Sequence, residues 1–219
     1  MGTTREGTSL QRRLTNDGLR LAVRKLAAAD PFLGASVARF GPPPMWAREP
    51  SYATLVHLIL EQQVSLASAR AAFDRLVTAV TAVTPTALLS LGDDALRSIG
   101  FSRQKAGYAR DLARAIRDGF DLDALEHMSD DDVRAALTHH RGIGRWTADI
   151  YLTICLLRPD VWPRGDLALA IAATDMTGSA ARPSPEELEE LADRWHPYRA
   201  IAARILWHHY LRARGLPVD

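Results

Sequence analysis

The stretch RGIGRWTADIYL, residues 141–152, decides the fold, because two glycines flank a hydrophobic residue just before an apolar helical pattern. Glycine lets backbone N–H groups approach a ligand closely, and the first turn of the next helix presents its positive end to the same point. An ordinary turn between two helices has the same pattern, so both interpretations stay open. As an anion site for DNA phosphate, the hairpin would use Gly142, Ile143, Gly144, Arg145 and Thr147.

The rest of the chain has helical periodicity almost everywhere. Apolar residues recur at three- and four-residue spacing over residues 52–66, where the polar residues 61–63 interrupt them. Ser102 and Ser129 precede two further helical segments, of which the first ends at Gly119 and the second at the hairpin. We find no strand pattern and no internal repeat, so the sequence predicts an all-α fold.

The composition is that of a folded globular protein, with 219 residues of which 47% are hydrophobic and 24% charged. Cys155 is the only cysteine, so disulfides, thiolate zinc sites and iron–sulfur clusters lack their ligands. Residues 1–13 have no apolar core of the signal-peptide kind, and no apolar stretch approaches the roughly 20 residues of a membrane span. We therefore expect a cytoplasmic protein without a membrane partner.

The net charge of +1 conceals an uneven distribution of charged residues. Residues 97–117 are rich in arginine, whereas residues 121–132 and 186–193 are acidic. Such segregation can give a basic face for a polyanion, and it can equally give two solvated helix faces. Charge alone favours the solvated faces.

The Pro-rich segment GPPPMWAREP, residues 41–50, is typical of a connector. It follows a short helix that the pattern predicts at about residues 19–29. We expect a helical bundle from the middle of the chain, with the two ends packed together as a second lobe. A groove between the lobes would be the natural ligand site.

Three separated motifs resemble the superfamily of helix-hairpin-helix DNA glycosylases, in particular its alkylation-repair branch, the 3-methyladenine DNA glycosylase II group. In chain order they are LVHLILEQQVSLASARAAFDRL at 55–76, LTHHRGIGRWTADIYLTICLLRPDVWPRGDLAL at 137–169, and RWHPYRAIAARILWHHYL at 194–211. The resemblance implies one domain over residues 1–219, with two helical lobes and an active-site cleft between them. Residues 51–158 would form the central lobe, with the helix-hairpin-helix at 129–157, and residues 18–50 plus 159–219 the second lobe. It also implies a compact form without the amino-terminal sheet domain of larger relatives.

Trp146 distinguishes the branches of this superfamily. In the members that cut the strand through a Schiff base, the residue two positions after the second hairpin glycine is a lysine nucleophile, whereas here it is Trp146. An indole has no amine to attack the sugar, so lyase chemistry through this residue is excluded. In the alkylation branch a tryptophan at this position forms a wall of the base pocket, and its electron-rich face suits a cationic methylated purine.

Asp166 lies between a Gly/Pro turn and an apolar helical run in PRGDLAL, residues 163–169, where an aspartate is by itself a helix N-cap. By the resemblance Asp166 is also the catalytic aspartate, and the two roles are compatible. Its carboxylate would stabilise the oxocarbenium character that develops as the N-glycosidic bond breaks, or help to activate water.

The resemblance also assigns the residues around this aspartate. Gln62 and Gln63 would fill the gap that the extruded nucleotide leaves in the duplex, with Gln63 at the position of the usual wedge residue. Trp195 and Tyr198 match aromatic residues that shape the base pocket, although core packing is the common fate of such side chains. A structural sodium or potassium ion at the hairpin would be held by the backbone carbonyls of Thr138, His140 and Ile143.

No catalytic metal and no organic cofactor are expected. The adjacent pairs His139–His140 and His208–His209 point about 100° apart on a helix, so neither pair chelates a metal by itself. Arg141 also replaces the proline that usually precedes the first hairpin glycine.

The sequence therefore predicts a monomeric, monofunctional DNA glycosylase of base excision repair that acts on double-stranded DNA with a damaged base. Its substrates would be alkylated bases of the 3-methyladenine kind, with 7-methylguanine and 1-methyladenine as further candidates. One alternative is the same hydrolysis on hypoxanthine or an oxidised purine. Another is a non-catalytic helix-hairpin-helix DNA-binding module.

Overall fold

The computed structural model describes residues 13–218, and this range contains no β-strand. The prediction of an all-α fold is confirmed. In chain order the helices are α1 (Asn16–Ala29), α2 (Pro31–Phe40), α3 (Tyr52–Glu61), α4 (Leu66–Val80), α5 (Pro85–Leu89), α6 (Asp93–Ile99), α7 (Arg103–Arg117), a 3-10 helix (Asp123–His127), α8 (Asp130–Thr138), α9 (Arg145–Ile154), α10 (Leu167–Thr177), α11 (Pro185–Asp193) and α12 (Arg199–Ala213). Within the described range no helix is long and apolar enough to cross a membrane. The prediction about the signal peptide falls, except for Arg13, outside the described residues.

Hydroxyl side chains begin several of these helices. Ser102 accepts a hydrogen bond from the N–H of Lys105 at 3.2 Å, and Ser129 accepts one from that of Asp132 at 3.1 Å. Each bond satisfies a first-turn N–H that has no partner inside its helix. The helix starts predicted at these two serines are therefore confirmed.

The buried side chains form two hydrophobic cores. The first lies among α3–α9, with Leu55, Ile59 and Tyr151 fully buried, and the second lies among α1, α2 and α10–α12. The predicted boundary at residue 158 is not sharp, because Leu157 packs in the second core and Val161 in the first. The site described below lies where helices of the two cores meet.

Arg204 of α12 joins the two cores although it is fully buried. Its guanidinium donates to the carbonyl oxygens of Thr153 at 2.7 Å, Met45 at 3.0 Å and Ala200 at 3.0 Å. Burial lowers the pKa of this guanidinium to about 10, so it stays protonated at neutral pH. Because Thr153 lies on α9 and Met45 in the connector, Arg204 holds α9, α12 and the connector together.

The structure differs from the sequence expectation near the amino terminus. Helix α1 begins at Asn16 rather than at residue 19, and α2 was missed. The α2 start has a clear signal, because Asp30 caps the N–H groups of Phe32 and Leu33 while Pro31 occupies the first helical position. At the other end, α12 begins at Arg199 and not at residue 197.

The polar residues 61–63 end a helix instead of interrupting one. Glu61 is the last residue of α3, Gln62 is its extended C-cap, and Gln63 has a φ of 58° in the left-handed region. A new helix, α4, begins at Leu66. The two glutamines therefore lie in a short loop between α3 and α4, and not on a continuous helix face.

Candidate active site

The hairpin between α8 and α9 is fixed on its inner side. Ile143 is buried, with 3% of its surface exposed, and its N–H donates to the carbonyl of His140 at 3.0 Å. Gly142 has a φ of 88°, and a Cβ at this position would overlap the ring of Tyr108. Both the backbone conformation and the close approach of Tyr108 therefore require glycine at 142.

The outer side of the hairpin is open. A Cβ added to Gly144 would meet no atom within 4 Å, and no side chain caps α9 at this residue. The first-turn N–H groups of α9 have no acceptor within their own helix. The α9 N-terminus thus offers N–H donors and the positive end of the helix dipole to an anion.

Trp146 and Asp166 are in direct contact. The indole N–H of Trp146 donates to Oδ2 of Asp166 at 2.9 Å, while Oδ1 of Asp166 accepts from the N–H of Leu169 at 3.0 Å. Asp166 therefore caps α10 as predicted, and the same carboxylate is bound to the predicted wall of the base pocket. Two donors from different elements fix the orientation of this carboxylate, which is 8% exposed.

Gln62 and Gln63 lie at the same end of the molecule but in different surroundings. The side-chain amide of Gln62 donates to the carbonyl of Gly142 at 2.9 Å and to Oγ1 of Thr147 at 3.0 Å. Gln63 is exposed, and so are its neighbours Val64 and Leu66. Only Gln63 of the two glutamines is thus free of a contact to the hairpin.

Thr147 and Arg145 are less available for phosphate than the sequence suggested. Thr147 is 2% exposed and its hydroxyl is bound to Gln62, so of its polar groups the backbone N–H is the one left for an anion. A phosphate contact of Thr147 is therefore expected through this N–H and not through the side chain. Arg145 is half exposed and lies 3.3 Å from Glu189 and 3.5 Å from Asp149.

Glu189 of α11 bridges the hairpin and the loop before Asp166. Its carboxylate lies 3.3 Å from Nη2 of Arg145 and 3.2 Å from Nε of Arg164. Arg164 also contacts Glu186 at 2.5 Å. Both arginines nearest to Trp146 and Asp166 in sequence are therefore partly neutralised by α11.

Trp195 and Tyr198 both belong to the second core. Trp195 is 4% exposed, its indole N–H donates to Asp30 at 2.9 Å, and it packs in the second core, whereas its part in shaping the base pocket stays a prediction. Tyr198 is half-buried at the edge of the same core, and its hydroxyl accepts from Lys25 at 3.3 Å. Trp146, in contrast, packs against the first core.

The histidine pairs contribute no metal site within residues 13–218, where no cluster of three possible ligands occurs. His140 packs on the ring of Phe120 at 4.3 Å, and burial lowers the pKa of its imidazole. His209 instead shares a 3.0 Å hydrogen bond with Ser36. Carbonyl oxygens at the hairpin suit a monovalent cation, and the ion expected at Thr138, His140 and Ile143 stays a prediction.

Three residues around the hairpin were missed by sequence reasoning, namely Lys105, Tyr108 and Glu189. Lys105 and Tyr108 belong to the arginine-rich segment, and Glu189 belongs to an acidic run. Within these segments nothing in the sequence distinguishes the three residues from their neighbours. A signal for Tyr108 was present in Gly142, because a glycine needed for close approach implies a neighbour. The sequence does not reveal which neighbour this is.

Comparison with known proteins identifies the family. Residues 56–197 match the HhH-GPD superfamily of base excision DNA repair proteins. The chain is 30% identical over 165 residues to YfjP of Bacillus subtilis, a match that covers 71% of this chain and 58% of YfjP. It is 28% identical to the alkylbase DNA glycosidase-like protein mag2 of Schizosaccharomyces pombe, over 71% of this chain and 76% of mag2.

The fold also matches a solved DNA complex, that of the Schizosaccharomyces pombe 3-methyladenine DNA glycosylase Mag1 with abasic DNA. The TM-score is 0.80 at 25% identity, and the match covers 91% of this chain and 98% of Mag1. Because the family match takes in well over half of the chain, with the hairpin, Trp146 and Asp166 inside it, this chain belongs to the HhH-GPD superfamily of base excision DNA repair proteins.

Proposed function

We propose that this chain is a monofunctional DNA glycosylase that hydrolyses the N-glycosidic bond of alkylated bases in double-stranded DNA. The observation that carries the proposal is the 2.9 Å hydrogen bond from the Trp146 indole to the Asp166 carboxylate. It brings an aromatic surface for a base and a negative charge for the sugar to one point. The names of mag2 and Mag1, an alkylbase glycosidase-like protein and a 3-methyladenine DNA glycosylase, support the same substrate class.

DNA would bind through its phosphates at the outer side of the hairpin. Gly144 leaves room for the DNA backbone to approach, and the uncapped first turn of α9 supplies N–H donors. These contacts read no base, which suits an enzyme that must inspect every sequence. Arg145 would add a cation once phosphate competes with Glu189 for its guanidinium.

The damaged nucleotide must leave the duplex to reach Asp166, and a side chain must fill the gap. Gln63 fits this role better than Gln62, because Gln63 is exposed while Gln62 is bound to Gly142 and Thr147. The amide of Gln63 would hydrogen-bond the base that has lost its partner. The exposed Val64 and Leu66 beside it supply apolar surface against the minor groove.

A cationic methylated purine suits the Trp146 indole, because the face of the ring is electron-rich. A neutral base would gain stacking but no cation–π attraction. The positive charge also makes the base a good leaving group, so little general-acid assistance is needed. Substrate range would therefore follow leaving-group quality, with 3-methyladenine, 7-methylguanine and 1-methyladenine as members.

At the sugar, the bond between C1′ and the base nitrogen breaks and its electron pair neutralises the base. The positive charge that develops on C1′ and the ring oxygen is stabilised by the carboxylate of Asp166. A water molecule then adds to C1′ and loses its proton to the carboxylate or to solvent. The products are the free base and an abasic site.

Strand cleavage through a Schiff base is not part of the proposal. Trp146 occupies the position where a lysine nucleophile would be needed. The indole nitrogen is not an amine and cannot form a Schiff base with the sugar. No organic cofactor is required for the hydrolysis, and a monomer contains every residue named. A monovalent cation at the hairpin carbonyls would strengthen the binding of phosphate and would take no part in the reaction.

Base release from three duplexes tests this function. They would be identical except for one 7-methylguanine, hypoxanthine or 8-oxoguanine, with free base and strand integrity measured before and after alkali. We expect release of 7-methylguanine, with an intact strand until alkali is added. A preference for either neutral lesion would favour the alternative substrates, and salt-sensitive DNA binding without release of any base would favour a binding module.

A further inference from the structure

The side chain of Gln62 attaches the loop between α3 and α4 to the hairpin. The amide of Gln62 donates one hydrogen bond to the Gly142 carbonyl and one to the Thr147 hydroxyl. Both acceptors belong to the element that would hold DNA phosphate. Any displacement of the hairpin would thus be transmitted to the loop through Gln62.

Lys105 holds the same loop from its other side. Its ammonium group donates to the carbonyl of Leu60 at 2.8 Å and to that of Gln62 at 2.8 Å. A cation at the carbonyl end of α3 is favourable because it faces the negative end of the helix dipole. Burial lowers the pKa of Lys105, and the two carbonyls compensate the ammonium for its partial loss of water.

Gln63 lies directly after these contacts and has a strained backbone. Its φ of 58° is uncommon for a residue with a side chain, and conformations of this kind persist only where the surroundings enforce them. The contacts of Gln62 and Lys105 on the residue before it provide that enforcement. The backbone of Gln63, and with it the direction of the Cα–Cβ bond of this exposed residue, is thereby fixed relative to the hairpin.

We propose that Gln62 and Lys105 are positioning residues that form a latch, which holds Gln63 in fixed register with the hairpin so that phosphate binding drives Gln63 into the duplex. This inference rests on the function proposed above. A loop that is ordered before binding loses little conformational entropy on insertion. Without the latch, the hairpin would still hold DNA, but Gln63 would reach the gap more slowly.

The latch is tested with Gln62→Met and Lys105→Met, which keep side-chain length and remove the donors. Arg103→Met is the matched control, because Arg103 is exposed and lies two residues before Lys105 on the same helix. Arg103→Met measures the effect of losing one positive charge. Lys105→Arg restores a cationic donor and should recover part of any loss.

Two rates are measured at saturating protein concentration, so that differences in DNA affinity do not affect them. Extrusion is followed by the fluorescence of 2-aminopurine next to the lesion, and hydrolysis by release of 7-methylguanine. Each rate is determined on a paired duplex and on a duplex whose lesion lies in an unpaired loop. We expect both latch variants to slow extrusion on the paired duplex about tenfold, the effect of one or two lost hydrogen bonds, and to approach the native rate on the unpaired one.

Native extrusion rates in both latch variants would overturn the inference. Equal losses on the paired and unpaired duplexes would also overturn it, because they would point to a general structural defect. If the native protein extrudes the nucleotide but releases no base, the proposed hydrolysis fails while the latch is still tested by fluorescence.

Discussion

Trp146 and Asp166 are separated by 20 residues in sequence and joined by a 2.9 Å hydrogen bond, so the wall of the proposed base pocket also orients the proposed catalytic carboxylate. In the proposed function this indole has two separable roles. Its face would receive the base, and its N–H orients the carboxylate that would stabilise the positive charge on the sugar.

Trp146→Phe separates these two functions, because phenylalanine keeps an aromatic face and lacks the N–H. A hydrogen bond to a charged group is worth about 1.5–3 kcal/mol, so we expect a tenfold to hundredfold lower single-turnover rate with a small change in thermal stability. Trp146→Ala should lose more on 7-methylguanine than on hypoxanthine, because it also removes the cation–π contact. Equal losses on the two lesions would reduce the role of the indole face to simple packing.

The two hairpin glycines should respond differently to alanine. Gly142→Ala places a Cβ against Tyr108 at a positive φ, so we expect a loss of about 2 kcal/mol or more in the free energy of unfolding. Gly144→Ala meets open space at a φ of −89°, so stability should change by less than about 0.5 kcal/mol. Its effect should appear instead as weaker DNA binding, because the methyl group stands where phosphate approaches.

Urea unfolding and DNA titration on the same two variants check this contrast. A stable Gly142→Ala protein would show that Tyr108 can move aside. Unchanged DNA affinity in Gly144→Ala would place the phosphate elsewhere.

Arg204→Met should destabilise the whole fold. It removes the donor to three carbonyl groups, of which those of Thr153 and Ala200 accept buried hydrogen bonds and that of Met45 a partly buried one. We expect a loss of about 3 kcal/mol or more, measured by urea unfolding. Arg24→Met, on the exposed face of α1, is the control for loss of an arginine and should stay within about 0.5 kcal/mol of the native protein.

The contribution of three histidines to stability should decrease as the pH falls below about 6.5, the usual pKa of histidine. Burial lowers the pKa of the His57, His208 and His209 imidazoles in the folded state, so the unfolded chain binds more protons in this range. The stability that these groups contribute is complete above about pH 6.5, and it is lost progressively as the pH falls from there towards their lower pKa values in the folded state.

His209→Gln should reduce this pH dependence, because glutamine can keep the bond to Ser36 without titrating. The comparison of unfolding at pH 7.5 and pH 5.5 in the variant and the native protein isolates this one group, since the half-buried Asp130 and the other carboxyl groups are the same in both. An identical pH dependence in the two proteins would show that His209 is protonated without cost.

The sequence was sufficient for the fold class and for the elements that carry local signals. Ser102 and Ser129 mark helix starts through their own hydroxyl groups, and Asp166 marks the start of α10, so all three were predicted correctly. The Trp146 position was informative because a lysine there would indicate strand cleavage through a Schiff base, whereas a tryptophan indicates hydrolysis alone.

Contacts between distant segments could not be predicted from these patterns. The bonds of Gln62 to the hairpin, and of Arg204 to Thr153, depend on how α3, α9 and α12 pack. The core packing of Trp195 likewise could not be predicted, because an aromatic side chain suits a core and a pocket wall equally well. Its burial is known only from the structure. Charge patterns placed Glu189 on a solvated face, whereas the fold brings it to Arg145 and Arg164.

The central claim, that the Asp166 carboxylate promotes hydrolysis of the glycosidic bond of an alkylated base, is tested most directly by the rate of 7-methylguanine release from duplex DNA. The native protein is compared with Asp166→Asn at saturating concentration, and DNA binding is measured in parallel. We predict a loss of at least about a hundredfold in release, the usual effect of removing a preorganised stabilising group, with binding retained. Release by Asp166→Asn at the native rate would contradict the claim.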